Sequence, residues 1–134
     1  MADFLVSMSA RILIADDSSS VRNLLKKLLE SHSNLWTVCA EAANGLEAVQ
    51  KAVELKPDLA IIDLQMPVMD GLSASARIAK SLPKIPILMN TIHKSDYVDS
   101  EAKHAGVREV ISKAEPGALL KAVEALLGRD PEPL

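Results

Sequence analysis

Five short apolar runs, at residues 12–15, 35–40, 59–62, 85–89 and 107–111, divide the chain at nearly even intervals. Each has strand length, and between them lie segments with apolar residues at helical spacing. Most of these runs are apolar on consecutive positions, so both faces of each strand must be covered. Covering helices between strands also supply the long connections that parallel neighbours need. The alternation therefore predicts an α/β fold: a doubly wound, five-stranded parallel sheet with five helices on its two faces and right-handed crossovers.

The intervening segments carry the marks of helices. Val21, Leu24, Leu25, Leu28 and Leu29 follow the spacing of one buried helical face. Asn44-Gly45 opens a second helix with an apolar face of Leu46, Val49, Ala52 and Val53, and Lys56-Pro57 stops it. An alanine-rich helix follows Gly71 and runs to about Lys80. The fourth helix, 95–105, is mostly polar and ends before Gly106. Pro116 suits the first turn of the last, whose stripe is Leu119, Leu120, Val123, Leu126 and Leu127. This divides the chain into an N-terminal extension (1–10), one domain (11–128) and a short C-terminal tail (129–134).

The 134 residues are 49% apolar and 25% charged, enough to bury one proper core. A net charge of −3 and the lack of a Lys/Arg cluster argue against direct binding to nucleic acid or a membrane surface. One cysteine, Cys39, excludes an intramolecular disulfide and a cysteine-based zinc site, and fits a reducing cytoplasm. The acidic N-terminus does not resemble a secretory signal, and no apolar stretch approaches the ~20 residues of a membrane span.

Chemistry concentrates where the strands end. Asp16 and Asp17 follow the first strand, Asp63 ends the third, Thr91 the fourth and Lys113 the fifth, and in a doubly wound sheet all of these ends share one rim, where ligands gather. Taken singly, each has an ordinary explanation: acids cap helices, and a strand-end threonine or a solvated lysine is commonplace. Together they are three mutually repelling carboxylates beside a cation, a set that a hard divalent ion such as Mg2+ relieves. With one such ion and Lys113 the site is neutral. It then suits phosphoryl transfer onto Asp63, with Thr91 bonding the transferred group and the Gln65 backbone carbonyl as a further metal ligand.

The order and spacing of Asp16-Asp17, Asp63, Met66-Pro67, Asp70-Gly71, Thr91 and Ser112-Lys113 resemble the receiver domains of two-component response regulators, over residues 11 to about 127. The resemblance implies a flavodoxin-like fold with strand order 2-1-3-4-5. It also implies Mg2+-dependent phosphorylation of Asp63 by a sensor histidine kinase or a histidine phosphotransfer protein, slow self-hydrolysis, and homodimer formation on phosphorylation as one route to output. The wording around Gly106 and Lys113-Ala-Glu-Pro leans toward receivers that carry a helix-turn-helix output. Three positions depart from the family pattern. Val110 stands where many receivers have a switching aromatic, the large Ile92 follows Thr91 where a small residue is common, and Ala114 replaces a frequent proline. Gln65 and His93 occupy positions that set dephosphorylation rate in the family. Two alternatives fit part of the same pattern. A haloacid-dehalogenase-type hydrolase wants an aspartate where Gln65 stands, and an unphosphorylated flavodoxin-like scaffold has no use for the acidic trio.

Overall fold

The computed structural model describes residues 9–128. Residues 1–8 of the expected extension and the tail 129–134 lie outside the described residues. The elements follow in strict alternation: β1 (Ala10–Ala15), α1 (Ser19–His32), β2 (Trp36–Ala42), α2 (Gly45–Leu55), β3 (Leu59–Ile62), α3 (Gly71–Ser81), β4 (Ile87–Thr91), α4 (Asp96–His104), β5 (Glu109–Ser112) and α5 (Pro116–Leu127). All neighbouring strands are parallel, in the order β2-β1-β3-β4-β5, as the resemblance implied. β1 begins at Ala10, which pairs with Trp36. Three other strands sit further along the chain than their apolar runs. β2 continues through Glu41 to Ala42, β4 starts after Pro86, and β5 starts at Glu109.

Helix starts follow local chemistry. Ser18, Asn44, Asp70 and Ser95 each accept a hydrogen bond from the backbone N–H three residues on, closing the first turns of α1 to α4. α5 begins with Pro116 instead, whose missing N–H is no loss in a first turn. α2 ends at Lys56, which takes a left-handed conformation (φ 48°).

Strand alternation splits the core in two. Leu13, Ala15, Ala60, Ile62, Ile87, Met89 and Val110 face α2, α3 and α4, meeting Ala48, Ala52, Ile78, Val98 and Ala102. Ile12, Ile14, Leu59, Ile61, Leu88 and Ile111 face the other way, against Leu25 and Leu29 of α1 and Leu119, Ala122 and Val123 of α5. Each fully buried Ile or Leu stabilises the fold by about 1.5–3 kcal/mol.

Two helix faces differ from their expected register. Leu24 is 69% exposed, so α1 buries a narrower stripe centred on Leu25 and Leu29. In α2 the buried positions are Gly45, Ala48 and Ala52, and Leu46 and Val53 are exposed. The reason is close approach. A Cβ on Gly45 would lie 2.1 Å from the Met69 carbonyl oxygen, so α2 sits too near its neighbours for large side chains on that face. Cys39 lies at the register shift between β1 and β2, half-buried, and burial pushes its thiol pKa up, away from reactivity.

Candidate functional site

The site is built by strands that overrun their partners at one end of the sheet. The Asp16 N–H donates to the Ala42 carbonyl (3.0 Å), the Asp63 N–H to the Ala15 carbonyl (2.9 Å) and the Lys113 N–H to the Thr91 carbonyl (2.9 Å). Each of these site residues is thus tied by its backbone to the neighbouring strand end. Their side chains converge there because every strand points the same way.

Lys113 bridges two carboxylates. Its Nζ lies 2.7 Å from Asp16 Oδ2 and 3.0 Å from Asp63 Oδ2. The remaining carboxylate oxygens are held by backbone: Asp16 Oδ1 accepts from the Ser18 N–H (2.9 Å) and Asp63 Oδ1 from the Leu64 N–H (2.8 Å). Asp16 and Asp63 are buried and Asp17 is exposed, and one carboxylate oxygen from each of the three lies within 4.8 Å of the others. Thr91 is fully buried at the end of β4, and its Oγ1 accepts from the His93 N–H (3.0 Å). Its hydroxyl proton is therefore free to donate to an incoming oxygen.

The electrostatics show what the arrangement lacks. Burial pushes the Asp63 pKa above its ordinary value, and the Asp16 charge adds to this; the hydrogen bonds from Lys113 and the Leu64 N–H oppose without cancelling it. Burial works against the Lys113 ammonium, but its bonds to Asp16 and Asp63 outweigh that and raise its pKa. One cation among three carboxylates leaves an excess of negative charge, with hard oxygen donors close enough to share one ion. That donor set fits Mg2+ or a similar hard cation.

Gln65 is exposed in the loop two residues past Asp63, and Asp70 stands outside the cluster as the cap of α3, accepting from the Ser73 N–H (2.8 Å). The loop between them is fixed by Gly71, whose N–H donates to the Leu64 carbonyl (2.7 Å) and where a Cβ would stand 1.9 Å from the Asp63 carbonyl oxygen. Ile92 is 72% exposed and Tyr97 73%, so both point to solvent rather than pack down. Val110 is buried in the cluster with Met89, Val98 and Ala102.

Arg22 lies in the first turns of α1, off the apolar stripe of that helix. In the structure its Nη1 donates to the Asp16 carbonyl (2.7 Å) and its Nε to Glu41 Oε1 (3.0 Å). The available signal was position: an arginine in the first turns of α1 stands over the acidic loop that precedes the helix.

A five-stranded parallel sheet in this order, with an acidic trio, a threonine and a lysine on its carboxyl rim, defines a receiver-type phosphoacceptor fold. The chain belongs to the response regulator receiver domain family, whose model matches residues 12–124. It is 42% identical over 106 residues to the response regulator protein VraR of Staphylococcus aureus, covering 79% of this chain and 50% of the relative. It is 37% identical over 117 residues to a protein-glutamate methylesterase/protein-glutamine glutaminase of Maricaulis maris, covering 86% of this chain and 29% of that one. The chain thus spans half or less of the length of these two relatives. Among solved structures it is similar to the response regulator domain of Thermotoga maritima CheB, with a TM-score of 0.82 and 29% identity over 92% of this chain and 99% of the other.

Proposed function

We propose that this domain is a phosphorylation switch whose acceptor is Asp63, and that Asp16, Asp17 and Asp63, with the Gln65 backbone carbonyl, hold Mg2+. The observation that supports this most is the position of Asp63: buried, pushed toward its neutral form, and bonded to a lysine that also binds Asp16. When bound, the metal supplies charge neutralisation for the carboxylates and for the oxygens of the transferring group. An Asp63 carboxylate oxygen bonds to phosphorus as the donor's bond to phosphorus breaks, leaving an acyl phosphate. Lys113 stabilises charge on the phosphoryl oxygens, and the Thr91 hydroxyl donates to one of them. The domain is itself the substrate, and so not an enzyme in the turnover sense.

The donor in this reading is a phosphohistidine on a sensor kinase or phosphotransfer protein in the cytoplasm. Among the described residues no helix is long and apolar enough to cross a membrane. With Val110 in place of an aromatic, a shift of Thr91 toward the phosphoryl group would reach α4 through Val110 and Val98, which share one cluster. Pairing with a second copy after phosphorylation is one form the output takes.

Intact mass after incubation with a small-molecule phosphodonor tests the proposal. With Mg2+ the protein should gain one phosphoryl group that hydroxylamine removes, as it does an acyl phosphate; with chelator it should gain none. No gain from either the small donor or a phosphorylated kinase domain sinks the reading. Asp17→Asn, which removes the exposed carboxylate and leaves the Lys113 bridge intact, should weaken Mg2+ binding by at least about tenfold in a calorimetric titration.

A further inference from the structure

We propose that Arg22 is a positioning residue for the metal site, acting on the backbone between Asp16 and Asp17; this rests on the metal reading above. The geometry is specific. Asp16 has its N–H on Ala42, its carboxylate on Ser18 and Lys113, and its carbonyl on Arg22 Nη1 at 2.7 Å. That carbonyl belongs to the peptide bond leading into Asp17. The Asp17 carboxylate has no hydrogen bond or ion pair of its own among the described residues, so the protein positions it only through its backbone, and this peptide plane sets where its Cα–Cβ bond starts. Arg22 fixes the plane.

Arg22 is held in turn. Its Nε is 3.0 Å from Glu41 Oε1, the pair is partly buried, and Lys51 of α2 donates to the Glu41 carbonyl and pairs with Glu47 at 2.8 Å. A planar fork with two bonded nitrogens on two elements is a stiffer strut than a lysine, and outer partners of this kind commonly set metal affinity. Glu41 also balances the guanidinium charge, which otherwise repels a divalent ion bound beside Asp16.

The charge and the strut predict opposite results, which makes the test decisive. If Arg22 acts only as a nearby cation, its removal tightens Mg2+ binding. If it orients the Asp16–Asp17 peptide, removal weakens binding. Mg2+ titrations followed by the amide NMR shifts of Asp17 and Leu64 should show Arg22→Ala and Arg22→Gln binding roughly tenfold more weakly than wild type. Arg11→Ala is the control: Arg11 Nη1 also donates to a carbonyl, that of Leu55 at 2.8 Å, but from the opposite end of β1, and its loss should leave Mg2+ affinity unchanged. Binding by either Arg22 variant as tight as wild type, or tighter, overturns the role. So does an equal loss in Arg11→Ala, which makes the effect one of general stability. Wild-type protein that binds no Mg2+ instead removes the metal site itself, and this inference with it.

Discussion

Asp63→Asn protein is expected to take up no phosphoryl group from any donor, and yet to melt at a higher temperature than wild type in the absence of divalent ions. The first half follows from chemistry, since an amide lacks the anionic oxygen that attacks phosphorus. The second follows from the environment of Asp63. Burial and the nearby Asp16 raise its pKa in the folded domain above the ordinary carboxylate value of 3.8. The folded state therefore holds that proton more tightly than the unfolded chain. Stability is greatest at low pH with respect to this group, falls as pH rises through the folded pKa, and stays reduced at neutral pH. Asparagine never ionises and escapes the loss.

Lys113 keeps its 2.7 Å bond to Asp16 in the variant, and the Leu64 N–H keeps an acceptor. A rise in Tm is expected, since the substitution removes the penalty of burying the charge and keeps both of these bonds. Melting curves at several pH values check it. The gap between wild type and Asp63→Asn should widen from acid to neutral pH and shrink when Mg2+ is added. A variant that melts lower than wild type at neutral pH without metal means that the Lys113–Asp63 pair outweighs the burial of the charge.

Gly71→Ala should be the most damaging single substitution in the loop that follows Asp63. A Cβ at this position would stand 1.9 Å from the Asp63 carbonyl oxygen and 2.8 Å from its carbon, both backbone atoms that no rotamer change can move. Relief requires the start of α3 to retreat, which breaks the 2.7 Å bond from the Gly71 N–H to the Leu64 carbonyl. Overpacking against fixed backbone together with a lost buried hydrogen bond amounts to roughly 3 kcal/mol or more, or about 10 °C in Tm. Gly117, in the first turn of α5, is the matched control. A Cβ there meets nothing within 4 Å, and Gly117→Ala should be neutral or stabilising by up to about 1 kcal/mol. Equal melting of the two variants would show that the loop yields freely.

The strand count, the alternation and the rim were legible in the sequence because they depend on long apolar runs and on the residue type at each strand end. Legibility failed where packing, not hydrophobicity, chose the residue. α2 buries Ala48 and Ala52 and exposes Leu46 and Val53, since the approach of its first turn to Met69 leaves room only for small side chains. β2 runs on into Glu41 because an edge strand needs backbone partners more than it needs an apolar side chain. In the site, the residue types of Asp16, Asp63, Thr91 and Lys113 announced themselves, and the sheet does place them together. Arg22 did not, because an arginine on a helix looks the same whether it meets water or the carbonyl of Asp16.

The two half-cores are separated by a single layer of peptide backbone, with Leu13, Ala60 and Met89 on one side and Ile14, Leu59 and Leu88 on the other. Side chains in one compartment share few neighbours with those in the other. Energetic changes in the two should then add, to within about 0.5 kcal/mol for well-separated pairs such as Val98→Ala with Leu119→Ala. Independence of this kind lets the packing on the α4 side drift without disturbing how α1 and α5 are seated.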